Sequence, residues 1–148
     1  MRARVYAHLD NKGKHMPIII PRDLPAYNSL REEKIFVMDK ERAIRQDIRP
    51  IEIAILNLMP TKETTETQLL RLLGNSSLQV NVTLIKTDSY TSTHVSGEHM
   101  ERFYKNLGEV CEMKFDGMIV TGAPVETIPF EDVKYWNELT SIMDFAEN

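Results

Sequence analysis

Two stretches of this 148-residue chain combine residue types and spacing that could do chemistry. The first is Leu58-Met59-Pro60-Thr61-Lys62-Glu63-Thr64-Thr65-Glu66-Thr67-Gln68, a helix opening that is polar on every side. A lysine in a first helical turn opposes the helix dipole, which favours anions there, so Lys62 points to an anionic or polar ligand close by. The competing reading is a solvated Lys62 paired with Glu66, four residues on. The second stretch is Thr121-Gly122-Ala123-Pro124-Val125-Glu126-Thr127. Its small residues let backbone approach a ligand, and the amides around Gly122 and Ala123 could face a developing oxyanion. A strand-end turn shaped by Gly122 and Pro124 explains the same residues without chemistry, with Glu126 simply exposed.

Other reactive side chains assemble less well. Cys111, the single cysteine, sits between Glu109 and Glu112 with no strand-to-helix elbow around it, surroundings that do not suit a nucleophilic thiolate. His94 and His99 are five apart and do not share a helix face as metal ligands four apart would, and His8 and His15 lie near the amino terminus. No Cys-His pair, Ser-His-Asp set, glycine-rich phosphate loop or metal site can be built, so neither a metal nor a resident cofactor is expected. The missing phosphate loop also weakens a redox reading of the flavodoxin type.

The elements that must position the two stretches follow from periodicity. Residues 51–59 (IEIAILNLM) are a nearly continuous apolar run of strand length, as expected for a strand covered on both faces. Thr61 then caps a helix with an apolar stripe of Leu69, Leu70 and Leu73, stopped by Gly74 and Asn75. Residues 78–86 (LQVNVTLIK) alternate, which predicts a half-covered edge strand. A polar loop over 87–95 leads to a helix capped by Ser96 and running to about Leu107, and 117–121 (GMIVT) form a third, interior strand. Trp136, Leu139, Ile142, Met143 and Phe145 fall at helical spacing. Strands alternating with helices give a parallel α/β sheet with flanking helices, and the strand characters predict the order 2-1-3. Ligands bind outside the carboxyl ends of such strands, where Lys62 and the Gly122–Glu126 loop both fall. No fourth strand follows to receive the last helix, so the sheet is expected to be interrupted after the third strand.

The amino-terminal third differs in character. Residues 1–15 carry Arg2, Arg4, Lys12 and Lys14 against Asp10, and read as a basic, disordered leader. Residues 16–50 read as an arm: an extended Met16–Pro25 stretch with three prolines, a short helix capped by Asn28 over Ser29–Lys34, and a charged surface connection with one helical turn over 35–49. The α/β domain proper is expected over 51–148. A net charge of −4 gives no basic stripe for nucleic acid, and no apolar run approaches the length of a membrane span. One cysteine cannot form an internal disulfide, so the cytoplasm is the expected compartment.

The run Asp47-Ile48-Arg49-Pro50-Ile51-Glu52-Ile53-Ala54-Ile55-Leu56-Asn57-Leu58-Met59-Pro60-Thr61-Lys62, with Glu66-Thr67-Gln68-Leu69-Leu70-Arg71-Leu72-Leu73, resembles the homoserine O-acyltransferase family, often described as homoserine O-succinyltransferases. Met16-Pro17-Ile18, Leu24-Pro25-Ala26, Leu30-Arg31-Glu32-Glu33, the run from Phe115 to Pro124, and Asp132-Val133-Lys134-Tyr135-Trp136 are similar to the same family. The resemblance implies a flavodoxin-like fold related to class I glutamine amidotransferases. It implies acyl transfer from an acyl-CoA to the homoserine hydroxyl in methionine biosynthesis, by a cysteine nucleophile with a histidine and a glutamate. All three are expected beyond Asn148, so no catalytic residue is assigned here and the chain alone is expected to be inactive.

The resemblance carries over Lys62 as a substrate-binding residue, Gly122 and Ala123 as an oxyanion loop, and Glu126 as the position that sorts acyl donors. Glutamate there accompanies acetyl-CoA and glycine accompanies succinyl-CoA, which predicts a homoserine O-acetyltransferase with acetyl-CoA as co-substrate. A carboxylate at that place repels the distal carboxylate of a succinyl group. The resemblance is also compatible with a homodimer. Two alternatives stay open: a succinyltransferase fragment, and a non-catalytic module that binds acyl-CoA or pairs with a full-length subunit.

Overall fold

The computed structural model describes residues 17–89 and 96–147, so the basic leader, Met16 and His94 lie outside the described residues. In chain order the elements are β1 (Ile18–Ile19), α1 (Pro25–Glu32), β2 (Val37–Met38), α2 (Lys40–Ile44), β3 (Ile51–Leu56) and α3 (Lys62–Leu73). There follow β4 (Val80–Ile85), α4 (Gly97–Phe103), β5 (Tyr104–Lys105), α5 (Leu107–Val110), β6 (Gly117–Val120), a 3-10 turn (Phe130–Asp132) and α6 (Trp136–Glu147).

All strand pairs are parallel, in the order β2-β1-β4-β3-β6, with β5 also pairing β4. The three strands read from the sequence therefore stand in the expected order, as β4-β3-β6. Alternation along β3 sends Ile55 to one core, with Leu30 and Leu70, and Ala54 and Leu56 to the other, with Val110, Leu139 and Ile142. Helices α1 and α3 thus cover one face, and α5 and α6 the other, which makes this a flavodoxin-like α/β sheet.

The expectation that 78–86 forms an edge strand is wrong. On the side of β4 away from β3, β1 pairs with Val80 and Asn81, and β5 pairs with Leu84 and Ile85. The polar positions are covered as well: Gln79 and Thr83 are buried, and the Asn81 amide donates to Glu52 at 2.7 Å. The sequence pattern missed β1 because only two residues of it pair, flanked by Pro17 and Pro21, which cannot donate to a ladder. It missed β2 because Val37 and Met38, both buried, are embedded in a highly charged stretch. Ile18–Ile19 and Val37–Met38 are thus strands of the sheet, joined by α1.

Three helix boundaries also move. Helix α1 starts at Pro25, four residues before Ser29, because proline is pre-organised for a first helical position. It ends through Lys34, at φ 63, whose amide returns to Arg31 O at 3.0 Å while that of Ile35 returns to Leu30 O at 2.9 Å. The helix after Ser96 stops at Phe103 because Tyr104 turns extended to join β4 and bury its ring. Asn106 then caps α5 in a reciprocal box with Glu109. Strand β6 pairs with β3 alone among the described residues, and Val120 is 39% exposed, so the third strand presents the unpartnered apolar edge expected of a sheet interrupted after it.

Candidate active site at the carboxyl ends of β3 and β6

The chain leaves β3 through Asn57, Leu58 and Met59 and enters α3 at Lys62. Lys62 is only 4% exposed, and its ammonium turns inward, donating to Asn57 O at 2.6 Å and Met59 O at 3.0 Å. The solvated pair with Glu66 does not form. Burial holds the Lys62 ammonium below the ordinary lysine range, partly offset by the charge of Glu66. Asn57 secures the same turn. Its amide donates to Lys62 O at 3.3 Å and to the Tyr104 hydroxyl at 3.0 Å, and its side-chain oxygen accepts the Met59 amide at 3.2 Å.

Glu66, one turn further along α3, is 1% exposed. Its Oε1 accepts from the Tyr104 hydroxyl at 2.5 Å and lies 3.0 Å from His99 Nε2, while Oε2 has no partner. Burial, then the charge and hydrogen bond of Glu66, raise the Tyr104 phenol far above the usual tyrosine range. His99 also has Nδ1 3.8 Å from Glu63 and its ring 4.9 Å from that of Phe103. Sequence reasoning missed this cluster. By spacing Glu66 pairs only with Lys62, His99 shares no helix face with His94, and Tyr104 falls within a helical pattern. Only the four-residue spacing of Lys62 and Glu66 hinted at it.

The second turn is fastened to the first. The Thr121 amide donates to Leu56 O at 3.0 Å, and its hydroxyl accepts the Leu58 amide at 2.7 Å and donates to Gly122 O at 3.1 Å. Beyond it the Val125 amide closes on Ala123 O at 2.9 Å and that of Ile128 on Val125 O at 3.1 Å. Gly122 and Glu126 are exposed and Ala123 is half-buried. A Cβ at Gly122 would meet nothing within 4 Å, so its surroundings leave room for a ligand. Among the described residues no hydrogen bond or ion pair joins Glu126 to Lys62.

The two candidate loops therefore share one end of adjacent strands: one presents an open backbone and an exposed carboxylate, the other is rigidified from behind by a buried polar cluster. Cys111 is elsewhere, exposed, with its thiol donating to Gly108 O at 3.2 Å. Among the described residues no group of three or more His, Cys, Asp or Glu could hold a metal, and no helix is long and apolar enough to cross a membrane.

The family model described as homoserine O-succinyltransferase matches residues 17–148. A homoserine O-acetyltransferase of Desulfovibrio desulfuricans is 63% identical over 131 residues, covering 88% of this chain and 42% of that protein. One of Shouchella clausii is 61% identical over 131 residues, with the same coverage of 88% and 42%. One of Thermotoga neapolitana is 59% identical over 133 residues, 90% of this chain and 44% of that protein. The chain thus spans less than half the length of these relatives. With a parallel α/β sheet and the family match over its whole described length, this chain belongs to the homoserine O-succinyltransferase family.

Proposed function

We propose that the chain is the amino-terminal part of a cytoplasmic homoserine O-acetyltransferase, which moves an acetyl group from acetyl-CoA to the homoserine hydroxyl. Glu126 carries this reading. It is exposed on the turn leaving β6, beside the turn leaving β3. A carboxylate there leaves an acetyl group undisturbed and repels the distal carboxylate of a succinyl group. The relatives at 59–63% identity are named as acetyltransferases, which favours the same donor.

In the complete enzyme the Gly122–Ala123 turn lies against the reacting carbonyl as its oxyanion loop, and Lys62, expected to bind substrate but turned inward onto Asn57 O and Met59 O, acts on the substrate through the turn that it fixes. The nucleophile comes from the remainder of the protein, and acetyl-CoA is a co-substrate with no resident cofactor. A homodimer is compatible with this arrangement.

The test joins residues 17–148 to the remainder of the Desulfovibrio desulfuricans relative and follows CoA thiol release. Homoserine-dependent release from acetyl-CoA is expected. A folded chimera that prefers succinyl-CoA would favour the succinyltransferase reading, and one that binds CoA without turnover would favour a non-catalytic module.

A further inference from the structure

The buried cluster behind the β3 turn has two unmet valences. Lysine carries three N–H donors, and Lys62 spends two on the carbonyls of Asn57 and Met59. Glu66 leaves Oε2 without a partner although its side chain is fully buried. A buried ammonium and a buried carboxylate are each costly alone, and although Lys62 and Glu66 make no direct ion pair, opposite charges offset one another through space where little water screens them. Lys62 and Glu66 are four apart on α3 and so project from the same side of the helix.

The remaining groups of the cluster hold Glu66 rather than compete for it. Tyr104 arrives from β5 and His99 from α4, and both address the same oxygen, Oε1. Asn57 steadies the Tyr104 hydroxyl from β3's end. The titratable groups around Lys62 are Glu63 and Glu66 of α3, His99 of α4 and Tyr104 of β5; Asn57 and Thr121 at the ends of β3 and β6 are neutral. Of the two carboxylates Glu63 is largely exposed, which leaves Glu66 as the unscreened charge.

We propose that Glu66 is a positioning residue of the candidate site: it supplies the counter-charge that keeps Lys62 an ammonium, so that Lys62 clamps the turn joined to Thr121. Charge-assisted bonds from an ammonium to two carbonyls hold that turn more firmly than a neutral amine would. This rests on the reading that the β3 turn belongs to the acyl-transfer site.

The experiment uses the full-length chimera and its Glu66→Gln variant, with the Lys62 side-chain nitrogen followed by NMR across pH and assigned by its loss in Lys62→Arg. In Glu66→Gln, Lys62 is expected to lose its proton at least about one pH unit lower, a differential interaction of about 1.4 kcal/mol. The alkaline limb of kcat/KM for homoserine should fall by the same interval, and Glu66→Asp should restore part of it. An unmoved Lys62 titration overturns the proposal. If Glu66→Gln does not fold, the unsubstituted chimera decides: an ammonium at pH 8 supports the proposal, and a neutral amine at that pH overturns it. The NMR titration needs no turnover, so it stands even if the acyl-transfer reading fails.

Discussion

The Leu58 amide donates to the Thr121 hydroxyl at 2.7 Å, across 63 residues of sequence, and so fastens the turn leaving β3 to the turn leaving β6. Leu58 is buried, so its amide has little water to fall back on. Replacing Thr121 with Val keeps the shape and removes the acceptor, which should cost about 1–3 kcal/mol. Urea denaturation of the chimera and the variant measures this, and Thr121→Ser should recover most of the loss. Equal midpoints for Thr121→Val and the parent would show that the two turns are held by something else.

Tyr104 should be both a structural and a pH-sensitive element. Tyr104→Phe takes a donor from the buried Glu66 and a partner from Asn57, and should cost about 1–3 kcal/mol. Its phenol is raised in the folded state, so the folded protein keeps this proton when the unfolded chain loses it near pH ~10. The stability that Tyr104 contributes is therefore complete below that pH and lost as pH rises above it. Thermal midpoints between pH 8 and 11 should fall more steeply for the parent than for Tyr104→Phe. Parallel curves would contradict this.

The cluster around Tyr104 also marks the limit of what the sequence conveys. Strand β3 and helix α3 were legible because their signals are local: a run of apolar residues, and a leucine stripe after Thr61. The order of β4, β3 and β6 followed from strand character. The polar cluster joins Asn57, Glu66, His99 and Tyr104, whose adjacency exists only once β5 pairs with β4. Strands of two residues, such as β1 and β2, are too short to show any period. Lys62 stands out in the sequence as a lysine in a first helical turn, but its inward orientation depends on two carbonyls at the end of β3, which no side-chain pattern reports.

Gly74 illustrates the same limit. It ends α3 as the sequence suggests, but with φ −67, a backbone conformation open to any residue. A Cβ there would lie 2.7 Å from Ile35 Cγ2 and 3.2 Å from both Ile18 Cδ1 and Leu70 O. Helix propensity alone favours alanine over glycine by about 1 kcal/mol, whereas overpacking costs about 1–3 kcal/mol. Gly74→Ala should therefore be destabilised, as read from its denaturation midpoint. A stabilised variant would mean that Ile35 yields easily.

The donor preference proposed for Glu126 offers the most direct test. The full-length chimera and its Glu126→Gly variant should be compared by kcat/KM with acetyl-CoA and with succinyl-CoA at saturating homoserine. The parent should prefer acetyl-CoA, and the substitution should move the ratio toward succinyl-CoA by about 10- to 100-fold, the effect of removing one like charge near the distal carboxylate. A ratio unchanged by Glu126→Gly, or a parent that already prefers succinyl-CoA, would contradict the account.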